Sequence, residues 1–144
     1  MKKFIALALI ALAAPAVAQK TPTGVTYDTT IVRAVDGDTI VVAAPYLPAP
    51  LKPELGVRIF GVDTPEKGFR AKCTSEKVRG EQASIFVKDL IAATKKQQVV
   101  LYDWDKFGGR VLGDIILDGM SLRNLLIKNG FAREYFGEAK QSWC

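Results

Sequence analysis

Apolar positions along the chain switch between two spacings, and the switches mark the elements. The β-branched runs at residues 29–35 and 39–42 flank Asp36-Gly37-Asp38, which predicts a hairpin, because Asp-Gly readily takes the turn that joins twisted strands. Four of the seven prolines fall between Pro45 and Pro53, so that stretch reads as a semi-rigid loop; proline has no N–H for a sheet ladder. Residues 55–62 form a third predicted strand that runs into Asp63-Thr64-Pro65-Glu66. From Thr74 or Ser75, either a good N-cap, a helix is expected to about Thr94, with Ala83, Phe86, Val87, Leu90 and Ile91 as its apolar stripe. A fourth strand is expected at residues 98–104, a turn at Phe107-Gly108-Gly109 and a fifth strand at residues 110–117. Asp118-Gly119 then leads to a short helix capped by Ser121, with Leu122, Leu125 and Leu126 inward and Gly130 as its stop. The expected fold is α+β and mainly β: a closed or nearly closed five-stranded barrel, with a long helix after strand three and a short helix after strand five.

The ends of the chain add two expectations. Lys2 and Lys3, the apolar run to Ala14 and the small residues Ala16-Val17-Ala18 have the pattern of an export signal, with cleavage after Ala18. A transmembrane anchor is the rival reading, but the run is short for a bilayer and broken by Pro15. Residues 19–144 are then one domain, exported to a periplasm or the medium, with no membrane anchor after cleavage, no protein partner implied and a monomeric state expected. In an oxidising compartment the two cysteines, Cys73 and Cys144, are expected to form one structural bridge; free thiols and an intermolecular link are the alternatives. A formal charge of +5 permits an anionic partner without establishing one.

The sequence contains no histidine, which excludes imidazole as base, nucleophile or metal ligand. Carboxylates carry the remaining chemistry. Asp-Gly-Asp has a plain reading as a hairpin turn, and Asp-Thr-Pro-Glu one as a helix start, although no strong apolar periodicity follows the latter until after Ser75. Read together, the two segments can converge if their strands are neighbours. Asp38, Asp63 and the Thr64 carbonyl then make a set of hard oxygen donors suited to Ca2+ or Mg2+, and Glu66 stands where it could handle a water. Arg58 precedes Asp63 by five residues, so in a flat strand the two would face opposite ways, and a bend must re-aim one of them.

Val35-Asp36-Gly37-Asp38-Thr39, Arg58-Ile59-Phe60-Gly61-Val62-Asp63-Thr64-Pro65-Glu66 and Asp105-Lys106-Phe107-Gly108-Gly109-Arg110 resemble, in order and spacing, the three signature segments of the staphylococcal nuclease (thermonuclease) family. The resemblance runs from about Val25 to Arg133. It implies an OB-fold barrel that hydrolyses phosphodiesters in DNA and RNA with Ca2+. Asp38, Asp63 and the Thr64 carbonyl match the calcium ligands, and Asp36 matches an acid that orients those ligands and their waters. Glu66 matches the general base, while Arg58 and Arg110 match the guanidiniums that stabilise the phosphorane. Lys106, Phe107 and Tyr135 are the nucleotide contacts it implies.

Three departures from the family pattern follow. An extra glycine precedes Arg110, Phe107 replaces a tyrosine, and the short C-terminal tail implies that the cysteine bridge takes over the clamping role of a longer helix. A non-catalytic OB-fold module binding nucleic acid is the rival function, and an exported calcium-binding structural protein a third. The first gives three carboxylates no purpose beside a polyanion, and the second explains neither arginine.

Overall fold

The computed structural model describes residues 21–144; the predicted export segment lies outside them. Strands β1 (Val25–Asp28), β2 (Ile31–Ala34), β3 (Thr39–Ala43) and β4 (Glu54–Ile59) lead to the two-residue β5 (Val62–Asp63) and a 3-10 turn at Gly68–Arg70. Helix α1 (Thr74–Ala93) is followed by β6 (Gln97–Trp104), β7 (Arg110–Leu117), β8 (Met120–Ser121), α2 (Leu122–Lys128) and β9 (Arg133–Glu134). This is the expected α+β architecture, with both helices where they were predicted.

The five expected strands are present, but the main sheet has seven, in the order β1-β6-β7-β4-β3-β2, with β8 alongside β7. The pairings are antiparallel except β4 with β7. The end strands β1 and β2 are separated by Thr29-Thr30 alone. Thr29 N–H donates to the Gln97 carbonyl at one end of the sheet, and the Thr30 carbonyl accepts from Ala43 N–H at the other. One interrupted strand thus meets both flanks, which gives the sheet its barrel-like curl.

Three details differ from the sequence reading. The predicted third strand ends at Ile59, and a turn at Gly61 (φ 73°) starts β5, which pairs with β9 instead. Cys73, rather than Thr74 or Ser75, is the N-cap of α1, its Sγ accepting from Glu76 N–H at 3.3 Å. The sulfur can cap because the disulfide to Cys144 leaves its lone pairs free. β1 was unforeseen because its alternation of Val25 and Tyr27 with Thr26 and Asp28 lasts only four residues, all of them exposed.

The interior is filled by Ile40, Val42, Val57, Ile59, Val62, Val99, Ile115 and Leu117 from the strands, with Val87, Leu122 and Leu126 from the helices. Each such side chain stabilises the fold by about 1.5–3 kcal/mol when fully buried. The packing fixes β3 against β4, and with it the mouth where the candidate residues lie. Among the described residues, no helix is long and apolar enough to cross a membrane.

Candidate active site

The β3–β4 register sets Thr39 opposite Arg58, and Ile59 N–H donates to the Asp38 carbonyl at 2.8 Å. Asp38 and Arg58 therefore emerge together, and their side chains meet at 3.2 Å between Nη2 and Oδ2. At Gly61 the chain folds back, and Arg58 Nη2 also donates to the Val62 carbonyl at 3.3 Å. Asp36 Oδ1 accepts from Asp38 N–H at 3.2 Å, so a second carboxylate sits beside the first.

Asp38 is only 8% exposed. Burial pushes its carboxyl up to about 7; Arg58 opposes that rise and Asp36 adds to it. A buried acid with a like-charged neighbour is costly to ionise unless a cation joins it.

Thr64-Pro65-Glu66 is pressed against α1. A Cβ at Gly80 would run into the Glu66 carbonyl, so glycine lets the backbone lie on the helix. Glu76, buried in the first turn of α1, accepts from Glu66 N–H at 3.2 Å and from Lys72 N–H at 2.8 Å. Glu66 thus has a fixed backbone and a side chain that is 40% exposed. Arg70 lies between Asp36 (3.4 Å) and Glu66 (3.5 Å), which brings those two acids to one guanidinium. Such a carboxylate can take a proton from a water while its neighbour holds its orientation.

Asp63 is buried at 6% exposure, and its two oxygens face the C-terminal segment. Trp143 Nε1 donates to Oδ2 and Lys140 Nζ lies against Oδ1, each at 2.9 Å. A cleft of about 420 Å³ is bounded by Asp63, Thr64, Glu66, Arg70, Lys140 and Trp143 among others. Among the described residues no three acid, histidine or cysteine side chains group closely enough to hold a metal on their own. What the residues offer is two buried carboxylates and backbone carbonyls, with no imidazole or free thiol. That donor chemistry fits Ca2+ or Mg2+, which accept carbonyl and water oxygens to complete their shells, and does not fit zinc.

Arg110 is bound elsewhere. Its Nε donates to Asp105 Oδ2 at 2.8 Å and its Nη2 lies 2.6 Å from the same oxygen. It nevertheless shares a face with Arg58: β7 runs parallel to β4 with Arg110 opposite Gly56, two residues before Arg58. The absence of a side chain at Gly56 gives the Arg110 stem room, since a Cβ there would lie 3.3 Å from Arg110 Cγ. Phe107 is exposed, with Lys106 Nζ at 5.0 Å and Arg110 Cζ at 5.8 Å from its ring centre. Tyr135 is half-buried next to Lys140, whose Nζ is 5.3 Å from its ring.

The family model described as Staphylococcal nuclease homologue matches residues 56–142, more than half of the chain. The chain belongs to this family. Endonuclease YhcR of Bacillus subtilis (strain 168) is similar to it, 33% identical over 115 residues, a stretch that covers 76% of this chain and 9% of that protein. The chain therefore spans a small fraction of that relative's length. Two of the signature segments of this staphylococcal nuclease homologue, those holding Arg58, Asp63, Glu66 and Arg110, lie inside the matched residues; Asp36 and Asp38 precede them.

Sequence reasoning missed five contributors: Arg70, Glu76, Gly80, Lys140 and Trp143. A glycine inside an otherwise good helix was a usable sign of close backbone approach at Gly80. Glu76 gave no such sign, because it stands three residues after Cys73, which the sequence did not offer as a cap. The two tail residues carry no local signal at all.

Proposed function

We propose that the protein is an exported nuclease that hydrolyses phosphodiester bonds in DNA or RNA with the help of Ca2+. The observation that carries this reading is the joining of buried Asp38 to Arg58 on one side, and of Asp36 through Arg70 to the half-exposed Glu66 on the other. A module that only binds nucleic acid gains nothing from carboxylates set against a polyanion.

In this reading Asp38, Asp63 and the Thr64 carbonyl hold the cation, with Asp36 orienting the waters around it. Held by these residues, Ca2+ would supply positive charge to the phosphate oxygens. Glu66 accepts the proton of the attacking water as its oxygen bonds to phosphorus, and the bond to the leaving oxygen then breaks. The pentacoordinate state gathers negative charge on its equatorial oxygens, where the Arg58 fork meets it with two N–H donors. Arg110, once released from Asp105, adds a second fork and assists the leaving oxygen. Lys106 attracts the strand, and the exposed Phe107 ring and Tyr135 offer faces to sugar or base. The Cys73–Cys144 disulfide is in keeping with export.

The test is incubation of the purified protein with single-stranded DNA, duplex DNA and RNA, in Ca2+, Mg2+ and EDTA. The reading expects cleavage in Ca2+ and none in EDTA. No cleavage of any substrate under any condition would leave the non-catalytic binding module in its place.

A further inference from the structure

The segment that ends at Cys144 reaches back into the acidic cleft. Trp143 is 8% exposed although the residues on either side of it are exposed. Three contacts hold it. The disulfide ties Cys144 to the N-cap of α1, the Arg133 guanidinium stacks 3.7 Å from the Trp143 ring centre, and Arg133 Nη1 donates to the Ser142 carbonyl at 3.0 Å. Arg133 is also the residue that pairs with Asp63 across β5 and β9, so one strand pair carries both the anchor and its target.

The two donors on Asp63 differ in kind. The indole N–H of Trp143 is neutral and buried, so it directs Oδ2 without cancelling the charge. The ammonium of Lys140 is a cation on the other oxygen, on a side chain that is 49% exposed. An exposed ion pair is cheaply broken, whereas a buried hydrogen bond to a charged group is not. The same ammonium lies 5.3 Å from the Tyr135 ring, a contact that does not depend on Asp63.

We propose that residues 140–144 are a working part of the cation site. Trp143 is a positioning residue that aims Asp63 Oδ1 into the cleft, and Lys140 is an internal cation that an entering divalent ion must displace. The Cys73–Cys144 bridge keeps both in place. This rests on the reading of Asp63 as a cation ligand.

The test is calorimetric titration of Ca2+ into the disulfide-bonded protein, comparing wild type, Trp143→Phe and Lys140→Met. Each substitution is repeated in a Cys73→Ser/Cys144→Ser background, where the hydroxyl introduced at the cap position keeps an acceptor for the first turn of α1. Trp143→Phe keeps an aromatic ring for Arg133 to stack on, smaller than the indole, and removes the N–H, so affinity should fall about tenfold, as when the partner of a metal ligand is removed. Lys140→Met removes the competitor and should tighten binding roughly threefold, the scale of an exposed ion pair. Without the bridge, each effect should shrink below about twofold, because the tail no longer couples to the site.

Wild-type affinity in Trp143→Phe, shifts of the same sign in both variants, or full effects without the cysteines would each overturn the proposal. A merely structural tail would move both substitutions the same way. Failure of wild type to bind Ca2+ would remove the cation site itself, and the role of the tail with it. Wild-type binding with indifferent variants would leave the nuclease reading standing and remove only the tail.

Discussion

Asp38 and Asp114 are both buried aspartates, and burial pushes both carboxyls above the ordinary range, yet their surroundings differ. Asp114, on β7, accepts from Ile115 N–H at 2.8 Å, from Arg123 N–H at 3.1 Å and from the Ser121 hydroxyl. Its donors come from its own strand and from the start of α2, so its charge is spent in fastening the helix to the sheet. Asp38 is met by side chains only, the Thr39 and Thr64 hydroxyls and the Arg58 guanidinium, while Asp36 repels it. Asp114 fastens one element of the fold to another, whereas at Asp38 two carboxylates lie side by side, a repulsion that a bound cation would relieve.

The contrast can be broken most forcefully at Glu66. Glu66→Gln keeps the shape and removes the proton acceptor, so turnover should fall by about 10³-fold with nucleotide binding retained, and steady-state kinetics with a binding titration would check both. Near-normal turnover would take Glu66 out of the role of base.

Asp114→Ala tests the other side. It strands two backbone N–H groups and the Ser121 hydroxyl, so denaturant unfolding should report a loss of about 3 kcal/mol, while calcium affinity of the folded fraction stays unchanged.

Asp38→Asn should move stability the opposite way. In the cation-free protein the folded carboxyl titrates at about 7, above its unfolded value, so it binds its proton more tightly when folded. Its favourable contribution is complete below about pH 4 and is lost as pH rises through 7. In EDTA, the asparagine variant should lack that decline and be more stable than wild type at pH 8 by about 2 kcal/mol. A wild-type profile in the variant would show that Asp38 is already ionised.

A further comparison separates the arginines. Lysine cannot reproduce a two-donor fork, and Arg58 is held inside a strand whereas Arg110 must first leave Asp105. Arg58→Lys should therefore depress turnover roughly 100-fold and Arg110→Lys less, measured on one oligonucleotide. A fully active Arg110→Lys enzyme would mean that Asp105 keeps that arginine for the fold.

Much of this was legible in the sequence because β-branched runs and an apolar stripe at helical spacing dominate the strands and α1. β1 escaped because it is only four residues long and lies exposed at the sheet edge, and β9 because two residues become a strand only when β5 lies beside them. The acids and Arg58 could be named from their motifs, but the meeting of Asp38 with Arg58 depended on the β3–β4 register and that of Asp36 with Glu66 on Arg70. The bond from Trp143 to Asp63 spans eighty positions and rests on a disulfide, so no local pattern could announce it.

The central claim is that Asp38 belongs to a divalent-cation site and Asp114 to the fold. Isothermal titration of Ca2+ into wild type, Asp38→Asn and Asp114→Asn at neutral pH tests it most directly. Wild type should bind Ca2+ with release of a fraction of a proton, seen as a dependence of the heat on buffer ionisation enthalpy, because a carboxyl near its midpoint must deprotonate to bind. Asp114→Asn should behave as wild type, and Asp38→Asn should lose both the binding and the proton. Equal binding by wild type and Asp38→Asn, with no proton released by either, would contradict the account.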